Sequence, residues 1–482
     1  MIESITVLDE KELYELAEGV HYKKVVESAV NLEELNLHAS LFTKDEMAAI
    51  LTACATLKKL KVLCVSNNAL SDEMFKGIQR CSALEEIDVS QSPITDKTLA
   101  FFSNLPSLTR LMVEGTRITD DGLKNLTKLL ELSVGTTKVS NKGLIPLKSL
   151  KRVSVTNSEL DSLEGLEGVT HLDISFSLLK GLKGINPQIE ELQLSGNEVG
   201  EEELKRLEDC KGIRLLALKN CPIGDSSVET LSKLTELQVL DLSFTALTHK
   251  GLEKLTALQE LSSLKLANTA VCNQGTAHFS NFTKLEILDL GGTTILDEGL
   301  SGVAACKGLK NLLLHHTSVT DSGMEALKPL KGLERINLMK TQVGDGGIKT
   351  LTSLPELKFI NMRETPITDE GLKCLKGLEL LRGINLIYTE ITDKGLEYLA
   401  QVPNLEVITM VGTKVTDQGL KFLTSMQHLR QLALLKTAIT DEAIPILAKI
   451  PNLEQVGLGP EVSQKGLKQL KTLRPLLKTR VL

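Results

Sequence analysis

Few residues in the chain combine the types and the spacing that chemistry requires. Two adjacent histidines, His315 and His316, could bind a metal ion, but the neighbouring positions supply no second pair of ligands. The stretch GDGGIKT at 344–350 resembles a phosphate-binding loop, yet Ile348 interrupts the Gly-Lys-Ser/Thr ending that such a loop needs. The sequence contains no Gly-x-Ser-x-Gly and no His-Glu-x-x-His motif. We therefore expect neither an enzyme nor a metal or cofactor site, and a surface role for the two histidines.

Composition narrows the class of protein. The eight cysteines form no Cys-x-x-Cys pair, which favours a reducing compartment over a secreted disulfide framework. The N-terminus is charged and lacks the apolar run of a secretory signal. No apolar stretch approaches the roughly 18 residues of a membrane span. Aromatic residues make up 3% of the chain and tryptophan is absent, so the core must be aliphatic. We expect an intracellular, cytoplasmic protein without a membrane span.

The strongest indication of the fold is a repeated sequence pattern, and the structure of this repeat must position all other residues. Its pattern begins with L-x-x-L-x-L, and between Ile189 and Leu453 it recurs at intervals of 24 residues. Regularity of this kind is the signature of stacked repeats rather than of separate globular domains. The first positions of the nineteen repeats are Leu32, Leu60, Leu84, Leu108, Leu129, Leu150, Val169, Ile189, Ile213, Leu237, Leu261, Leu285, Leu309, Leu333, Leu357, Leu381, Leu405, Leu429 and Leu453.

Each repeat is predicted to be a short strand, a turn and a helix. In LKFINMRETPITDEGLKCLKGL, the spacing of Ile360 and Met362 is that of a half-buried strand. The pair Thr368-Asp369 has the residue types that cap a helix N-terminus. Leu372 then begins the apolar face of that helix. The predicted fold class is therefore α/β, with a parallel sheet built from one strand per repeat.

These repeats resemble those of leucine-rich repeat proteins along nearly the whole chain. They are similar to the cysteine-containing subclass found in many F-box proteins, whose repeats read L-x-x-L-x-L-x-x-C-x-x-I-T-D-x-x-L. Cys221 stands at the first cysteine of that pattern, and Cys81, Cys210 and Cys306 stand near its second. Threonine usually replaces the first cysteine, and such hydroxyls could donate to the carbonyls of a neighbouring turn. The resemblance implies a curved horseshoe with its sheet on the concave side, and cysteines that serve as small buried residues.

The ends and one internal segment depart from the repeat. Residues 1–30 lack the proline, tryptophan and L-P-x-E opening of an F-box, and residues 8–19 have the pattern of an amphipathic helix. We expect a helical N-terminal cap over 1–30, a solenoid over 31–466 and a C-terminal cap over 467–482. Within 129–189 the repeats shorten to about 20 residues, which leaves little room for helices. This segment should flatten or kink the arc.

Residues free to carry a binding function lie two, four, six and seven positions after each first leucine. Basic, aromatic and methionine residues, which are enriched at protein interfaces, gather there late in the chain. This predicted partner-binding set is His315, His316, Arg335, Asn337, Met339, Lys340, Phe359, Asn361, Arg363, Ile387 and Tyr388. A predicted secondary acidic face comprises Glu34, Glu86, Asp88, Glu114, Glu131, Asp173 and Glu191. Residues 1–300 carry a net charge of −13 and residues 301–482 carry +6.

The sequence therefore predicts a non-enzymatic scaffold that binds a partner protein along the concave sheet. The alternative is a substrate-recognition subunit of a ubiquitin-ligase-like complex, against which the missing F-box residues count. An enzyme is the third and weakest possibility. Overall acidity opposes a nucleic-acid ligand. The protein is expected to be either monomeric or part of a larger assembly. Chance can also place single aromatic residues on such a face, as with Phe176 and Phe244.

Overall fold

A computed structural model describes residues 6–9, 12–13 and 21–481 and shows two compact units, the first ending at Pro222 and the second beginning at Ile223. Each unit contains an open parallel sheet with one strand per repeat. In the described part of the first unit, β1–β10 are Val7–Asp9, Glu34–Asn36, Val62–Cys64, Glu86–Asp88, Arg110–Met112, Glu131–Ser133, Arg152–Ser154, His171–Asp173, Glu191–Gln193 and Leu215–Ala217. In that of the second, β11–β21 are Val239–Asp241, Ser263–Lys265, Ile287–Asp289, Asn311–Leu313, Arg335–Asn337, Phe359–Asn361, Gly383–Asn385, Val407–Thr409, Gln431–Ala433, Gln455–Leu458 and Lys478–Val481.

Short helices connect the strands. The described α-helices are Tyr22–Ser28, Lys44–Cys54, Asp96–Phe102, Asp120–Leu123, Asn141–Leu144, Glu201–Leu204, Val228–Leu231, His249–Lys254, Asn273–Thr276, Leu300–Val303, Asp321–Met324, Asp345–Leu351, Asp369–Leu372, Asp393–Leu399, Ile444–Leu447 and Gln464–Leu473. The 3-10 helices are Asp72–Phe75, Ile78–Arg80, Lys205–Leu207, Leu255–Ala257, Ala277–Asn281, Asp297–Gly299, Glu325–Leu327, Leu375–Gly377, Gly419–Ser425 and Asp441–Ala443. No helix in the described ranges is both long and apolar enough to cross a bilayer.

The predicted strand positions are confirmed, since each strand from β2 to β20 begins two residues after the first position of its repeat. Alternation buries one residue of every strand triplet and leaves its two neighbours on the other face. Ile360, for example, is 2% exposed, whereas Phe359 and Asn361 flank it in the half-exposed class. The core is aliphatic apart from a few phenylalanines. Phe75 and Phe102 pack edge to face, with ring centroids 5.3 Å apart.

The two residues of the Thr-Asp pair at each helix start make different contacts, the threonine within its own repeat and the aspartate with the next repeat. The Thr368 side chain caps its own helix by accepting from the backbone N–H of Glu370, as predicted. Asp369 instead accepts from the next repeat, at 2.9 Å from the backbone nitrogen of Thr392 and 2.6 Å from its hydroxyl. The predicted cap is therefore correct for the threonine, while the aspartate links successive repeats. Gly371 leaves room for the equivalent contact between Asp345 and Thr368 in the preceding pair of repeats. A Cβ at Gly371 would lie 2.5 Å from Oδ1 of Asp345.

The threonines that stand eight residues after the first leucine of their repeats form hydrogen bonds other than those predicted. The Thr341 hydroxyl donates to the carbonyl of Leu338, three residues earlier in its own turn, at 2.7 Å. The prediction that these hydroxyls reach a neighbouring turn is wrong, because a threonine side chain is one atom shorter than an asparagine amide. Asn197 does reach the previous repeat, donating to the carbonyl of Ile174 at 2.8 Å.

Both ends continue the sheet further than predicted. Strand β1 pairs in parallel with β2, with Leu8 opposite Leu35, although a helix was expected over residues 8–19. The rest of that expected helix lies largely outside the described residues, and the described helix of this end, Tyr22–Ser28, follows it. At the other end, Gln464–Leu473 is a helix and β21 then pairs with β20. The C-terminal end therefore consists of a helix and one further strand. Together, β1 and β21 raise the predicted nineteen strands to twenty-one within the described ranges.

The short repeats have the predicted reduction in helix. Residues 155–190, all of which the structure describes, contain strand β8 but no α-helix or 3-10 helix. Turns connect β7 to β8 and β8 to β9, because 19 or 20 residues per repeat leave no length for a helical segment. The predicted effect of this segment on curvature stays a prediction.

Candidate protein-binding face

All eleven residues of the predicted partner-binding set lie on or directly after strands β14–β17. They occupy the face opposite the buried Ile336, Ile360 and Ile384. Parallel pairing aligns them in columns, with Arg335 opposite Phe359 and Phe359 opposite Gly383. The structure therefore brings together residues that are up to 73 positions apart in the sequence, from His315 to Tyr388.

The first column is a stack of a cation, a ring and a glycine. The guanidinium carbon of Arg335 lies 4.0 Å from the centroid of the Phe359 ring. That ring extends over the backbone of Gly383, where a Cβ would lie 2.6 Å from Cδ1 of Phe359. Such a cation–π contact contributes about 0.5–1 kcal/mol at an exposed site. It holds two long side chains in one arrangement before any ligand arrives.

A second cluster surrounds Tyr388, which is 43% exposed. The ammonium of Lys436 lies 5.5 Å from the ring centroid and donates to the tyrosine hydroxyl at 2.9 Å. On the other side, the guanidinium carbon of Arg363 lies 5.9 Å from the same ring. Sequence reasoning missed Lys436, although it stands seven residues after Leu429 and so in the predicted column. We call Arg335, Phe359, Arg363, Tyr388 and Lys436 the arginine–aromatic patch.

Some of the basic residues on this face form salt bridges and others do not. Glu364 binds Arg363 at 2.8 Å and Lys340 at 3.3 Å, and these contacts hold the pKa of its carboxyl below its usual value. Among the described residues, neither Arg335 nor Lys436 has a carboxylate within salt-bridge distance. The patch therefore keeps two cations that rest on aromatic rings and form no salt bridge with a described residue.

The residue seven positions after the first leucine or its equivalent has a positive φ angle in every repeat from β2 to β19. Tyr388 has φ 54°, Lys340 56° and His316 57°. This left-handed conformation favours glycine and costs other residues roughly 1–2 kcal/mol. Large side chains at this position are therefore maintained against an intrinsic preference, and the turn directs them away from the core.

A column of asparagines forms the floor between these clusters. The side-chain oxygen of Asn337 accepts from the backbone N–H of Met339 at 3.1 Å, in an Asx turn. Asn361 and Asn385 make the same contact with Arg363 and Ile387, each at 3.1 Å. A groove of about 350 Å³ lies over this column. Its walls include Asn311, Leu313, Arg335, Phe359, Gly383, Val407 and Thr409.

The two histidines contact each other and not a cluster of ligands. Their rings meet edge to face with centroids 5.5 Å apart. Nδ1 of His315 is buried without a hydrogen bond and lies 4.0 Å from Oδ1 of Asp289. Burial raises the pKa of the Asp289 carboxyl, and burial together with Lys340 lowers the pKa of His316. No group of three or more metal-binding side chains occurs within the described residues.

The predicted acidic face lies on the exposed side of the sheet of the first unit but is less acidic than expected. Arg110 pairs with Glu86 at 2.6 Å. Arg152 lies between Glu131 and Glu191, at 4.0 Å and 3.4 Å. Both arginines lie two residues after the first leucine of their repeats, at an outward-facing position where the sequence predicted few basic residues.

The remaining acids of that face are held by local contacts. Glu114 hydrogen-bonds the hydroxyls of Ser133 and Ser154. Asp88 and Asp173 accept from the backbone N–H two residues later, at 2.9 Å and 3.0 Å. Glu34 lies half-exposed on β2. This face is therefore a salt-bridged surface, and its charges are largely satisfied within the protein.

Stacked strand–turn–helix repeats with an exposed parallel sheet define the class of repeat proteins that present an extended binding surface. A family model described as "Leucine-rich repeat region" matches residues 30–290, and one described as "Leucine Rich repeat" matches 283–304. The chain belongs to the leucine-rich repeat family. Its membership of the F-box-type subclass stays a prediction.

Solved structures show the same fold. One is a TLR13–ssRNA13 complex, with a TM-score of 0.56, 17% identity and coverage of 91% of this chain and 68% of that one. Another is the mouse RP105/MD-1 complex, with a TM-score of 0.56, 15% identity and coverage of 92% and 87%. A comparison with curated proteins found no match. Leucine-rich repeat folds generally act as interaction modules rather than as enzymes.

Proposed function

We propose that this protein is a non-enzymatic scaffold that binds a partner protein through the arginine–aromatic patch on the exposed sheet face of its second unit. The observation that carries the proposal is the pair of stacks, Arg335 on Phe359 and Lys436 on Tyr388, whose cations form no salt bridge within the described residues. Arginine and tyrosine are the residue types that most often dominate binding energy at interfaces.

Preorganisation supports the same function. Binding costs about 0.5–1.5 kcal/mol for each flexible side chain that must be ordered. Here Phe359 and Tyr388 already lie against neighbouring backbone and cations, on strands whose register is set by parallel pairing. Much of that ordering cost is therefore met during folding.

A tagged purification from native cells, with identification of the co-purifying proteins, tests this function. The variant carries Arg335→Glu, Arg363→Glu and Tyr388→Asn. Asparagine is chosen because the chain itself uses it at equivalent positive-φ positions, including Asn67 and Asn268. The matched control carries Arg152→Glu and Phe176→Asn in the first unit.

We expect a partner that co-purifies with the wild type and the control but not with the patch variant. Thermal melts by circular dichroism establish that all three proteins are folded. Retention of every partner by a folded patch variant would show that the binding surface lies elsewhere.

A further inference from the structure

The asparagine column specifies the chemistry of the ligand, an inference that rests on the proposed function. In each Asx turn the side-chain oxygen is occupied by a backbone N–H, which orients the amide. Asn337, Asn361 and Asn385 all line the groove, and each keeps its NH2 group as the remaining donor of the side chain. Parallel pairing puts them directly opposite one another on β15, β16 and β17, and adjacent strands lie about 4.8 Å apart. The result is a row of oriented hydrogen-bond donors.

The same turn occurs elsewhere with the opposite chemistry. Asp289 accepts from the N–H of Gly291 at 2.9 Å, and Asp241 accepts from that of Ser243 at 3.0 Å. An aspartate in this turn keeps a second carboxylate oxygen, which is an acceptor, where an asparagine keeps a donor. Replacing asparagine with aspartate therefore keeps the turn and changes the group that faces a ligand from a hydrogen-bond donor to an acceptor.

Charge at the groove agrees with the donor row. Arg335 forms one wall, has five N–H donors and no acceptor, and makes no salt bridge among the described residues. Lys436, beside Tyr388, is a second such cation of the patch but does not line the groove. An anionic group that accepts hydrogen bonds matches both Arg335 and the amide donors, and a carboxylate matches the planar guanidinium in two-point geometry.

We propose that the groove over β15–β17 binds an acidic segment of a partner protein, whose carboxylates are held by Arg335 and by the amide groups of Asn337, Asn361 and Asn385. A volume of about 350 Å³ accommodates one or two side chains and not a large ligand. The net charge of −7 opposes a polyanion such as nucleic acid, which requires many phosphate contacts.

Fluorescence anisotropy with a labelled short oligoglutamate peptide tests this inference on the full chain. Asn361→Asp replaces the central donor with an acceptor and keeps the turn, as Asp289 and Asp241 do. Asn36→Asp, in the equivalent turn on β2, is the matched control because Asn36 accepts from His38 at 3.2 Å. Asn385→Asp is a second variant in case Asn361→Asp does not fold.

We expect the wild type and Asn36→Asp to bind the peptide, and Asn361→Asp to bind at least about tenfold more weakly, as hydrogen bonds to charged groups require. An oligolysine peptide should not bind. Absence of oligoglutamate binding, or equal binding by Asn361→Asp, would overturn the inference. Equal binding of a polyuridine oligonucleotide with the same sensitivity would overturn the peptide assignment. The oligoglutamate test can fail while the patch variant still loses its partner in the purification. In that case the proposed function stands, and the groove binds a ligand of different chemistry.

Discussion

Lys436 donates a hydrogen bond to the hydroxyl of Tyr388 across an intervening repeat, at 2.9 Å. The two residues are 48 positions apart, and each lies seven residues after the first leucine of its repeat. Gly412 occupies that position in the repeat between them, with φ 69°, and a Cβ there would overlap the Tyr388 ring. The glycine therefore makes space for the ring to reach the lysine, and one side of the arginine–aromatic patch depends on it.

Gly412→Ala should displace the Tyr388 ring and strain the backbone. We expect a loss of roughly 1–2 kcal/mol in the free energy of unfolding, because alanine disfavours this left-handed conformation. Urea unfolding followed by circular dichroism measures the change. Gly332→Ala is the control, since no atom lies within 4 Å of a Cβ at Gly332. Equal stability of the two variants would contradict the role assigned to Gly412.

The link between repeats through aspartate should be measurable at Asp417. Its carboxylate is 8% exposed and accepts from the backbone N–H and the hydroxyl of Thr440, at 2.8 Å and 2.7 Å. Asp417→Ala leaves that N–H without its partner, and we expect a loss of about 1–3 kcal/mol in unfolding free energy. Gln418→Ala, at the exposed neighbouring position, should change it by less than about 0.5 kcal/mol. Similar losses in both variants would show that the aspartate is not specifically required.

Asp289 provides a pH-dependent prediction. Burial raises the pKa of its carboxyl, while His315 and Lys265 oppose that shift and Asp241 adds to it. A raised folded-state pKa gives stability that is present below the unfolded pKa of about 3.9 and is lost as the pH rises through the folded value. Asp289→Asn keeps the acceptor for the N–H of Gly291 and removes the buried charge.

We therefore expect Asp289→Asn to raise the Tm at pH 7, with a difference that shrinks as the pH falls toward about 4. Thermal melts across that range measure the effect. A difference that grows toward low pH would mean that the ionised carboxylate stabilises the fold, which contradicts the prediction.

Thiol reactivity should separate the cysteines. Burial raises the pKa of Cys81 to about 11 and that of Cys306 to about 12, and both side chains are at most 3% exposed. Since the thiolate is the nucleophile, neither should react with a disulfide reagent at pH 8 while the protein is folded. Half-buried Cys272 and Cys374 should react before them. Mass spectrometry of the modified peptides locates the reaction, and native modification of Cys306 would show that its repeat opens.

How far the sequence could predict the site is clear from Arg335 and Lys436. Arg335 was predicted to lie on the exposed face because it stands two residues after the first leucine of its repeat. Its contact with Phe359 could not be read, since it depends on side-chain rotamers and on the parallel register of β15 and β16. Lys436 was missed because nothing local distinguishes it from other exposed lysines. Arg110 and Arg152 were missed for the same reason, and they pair with Glu86, Glu131 and Glu191 of the face that was expected to be acidic.

The sequence by itself determined the repeat, the strand positions, the buried leucines and the threonine caps. These features follow from periodicity, because alternation within three residues decides which side chains are buried. Only the tertiary structure decided which repeat each polar group contacts: Asp369 bonds forward to Thr392, while the Thr341 hydroxyl turns back to Leu338. It also decided that the chain adds β1 and β21 at its ends and that Tyr388 reaches Lys436 over Gly412. Such contacts depend on distances between successive layers of the stack, which are set by packing and are not encoded in any single repeat.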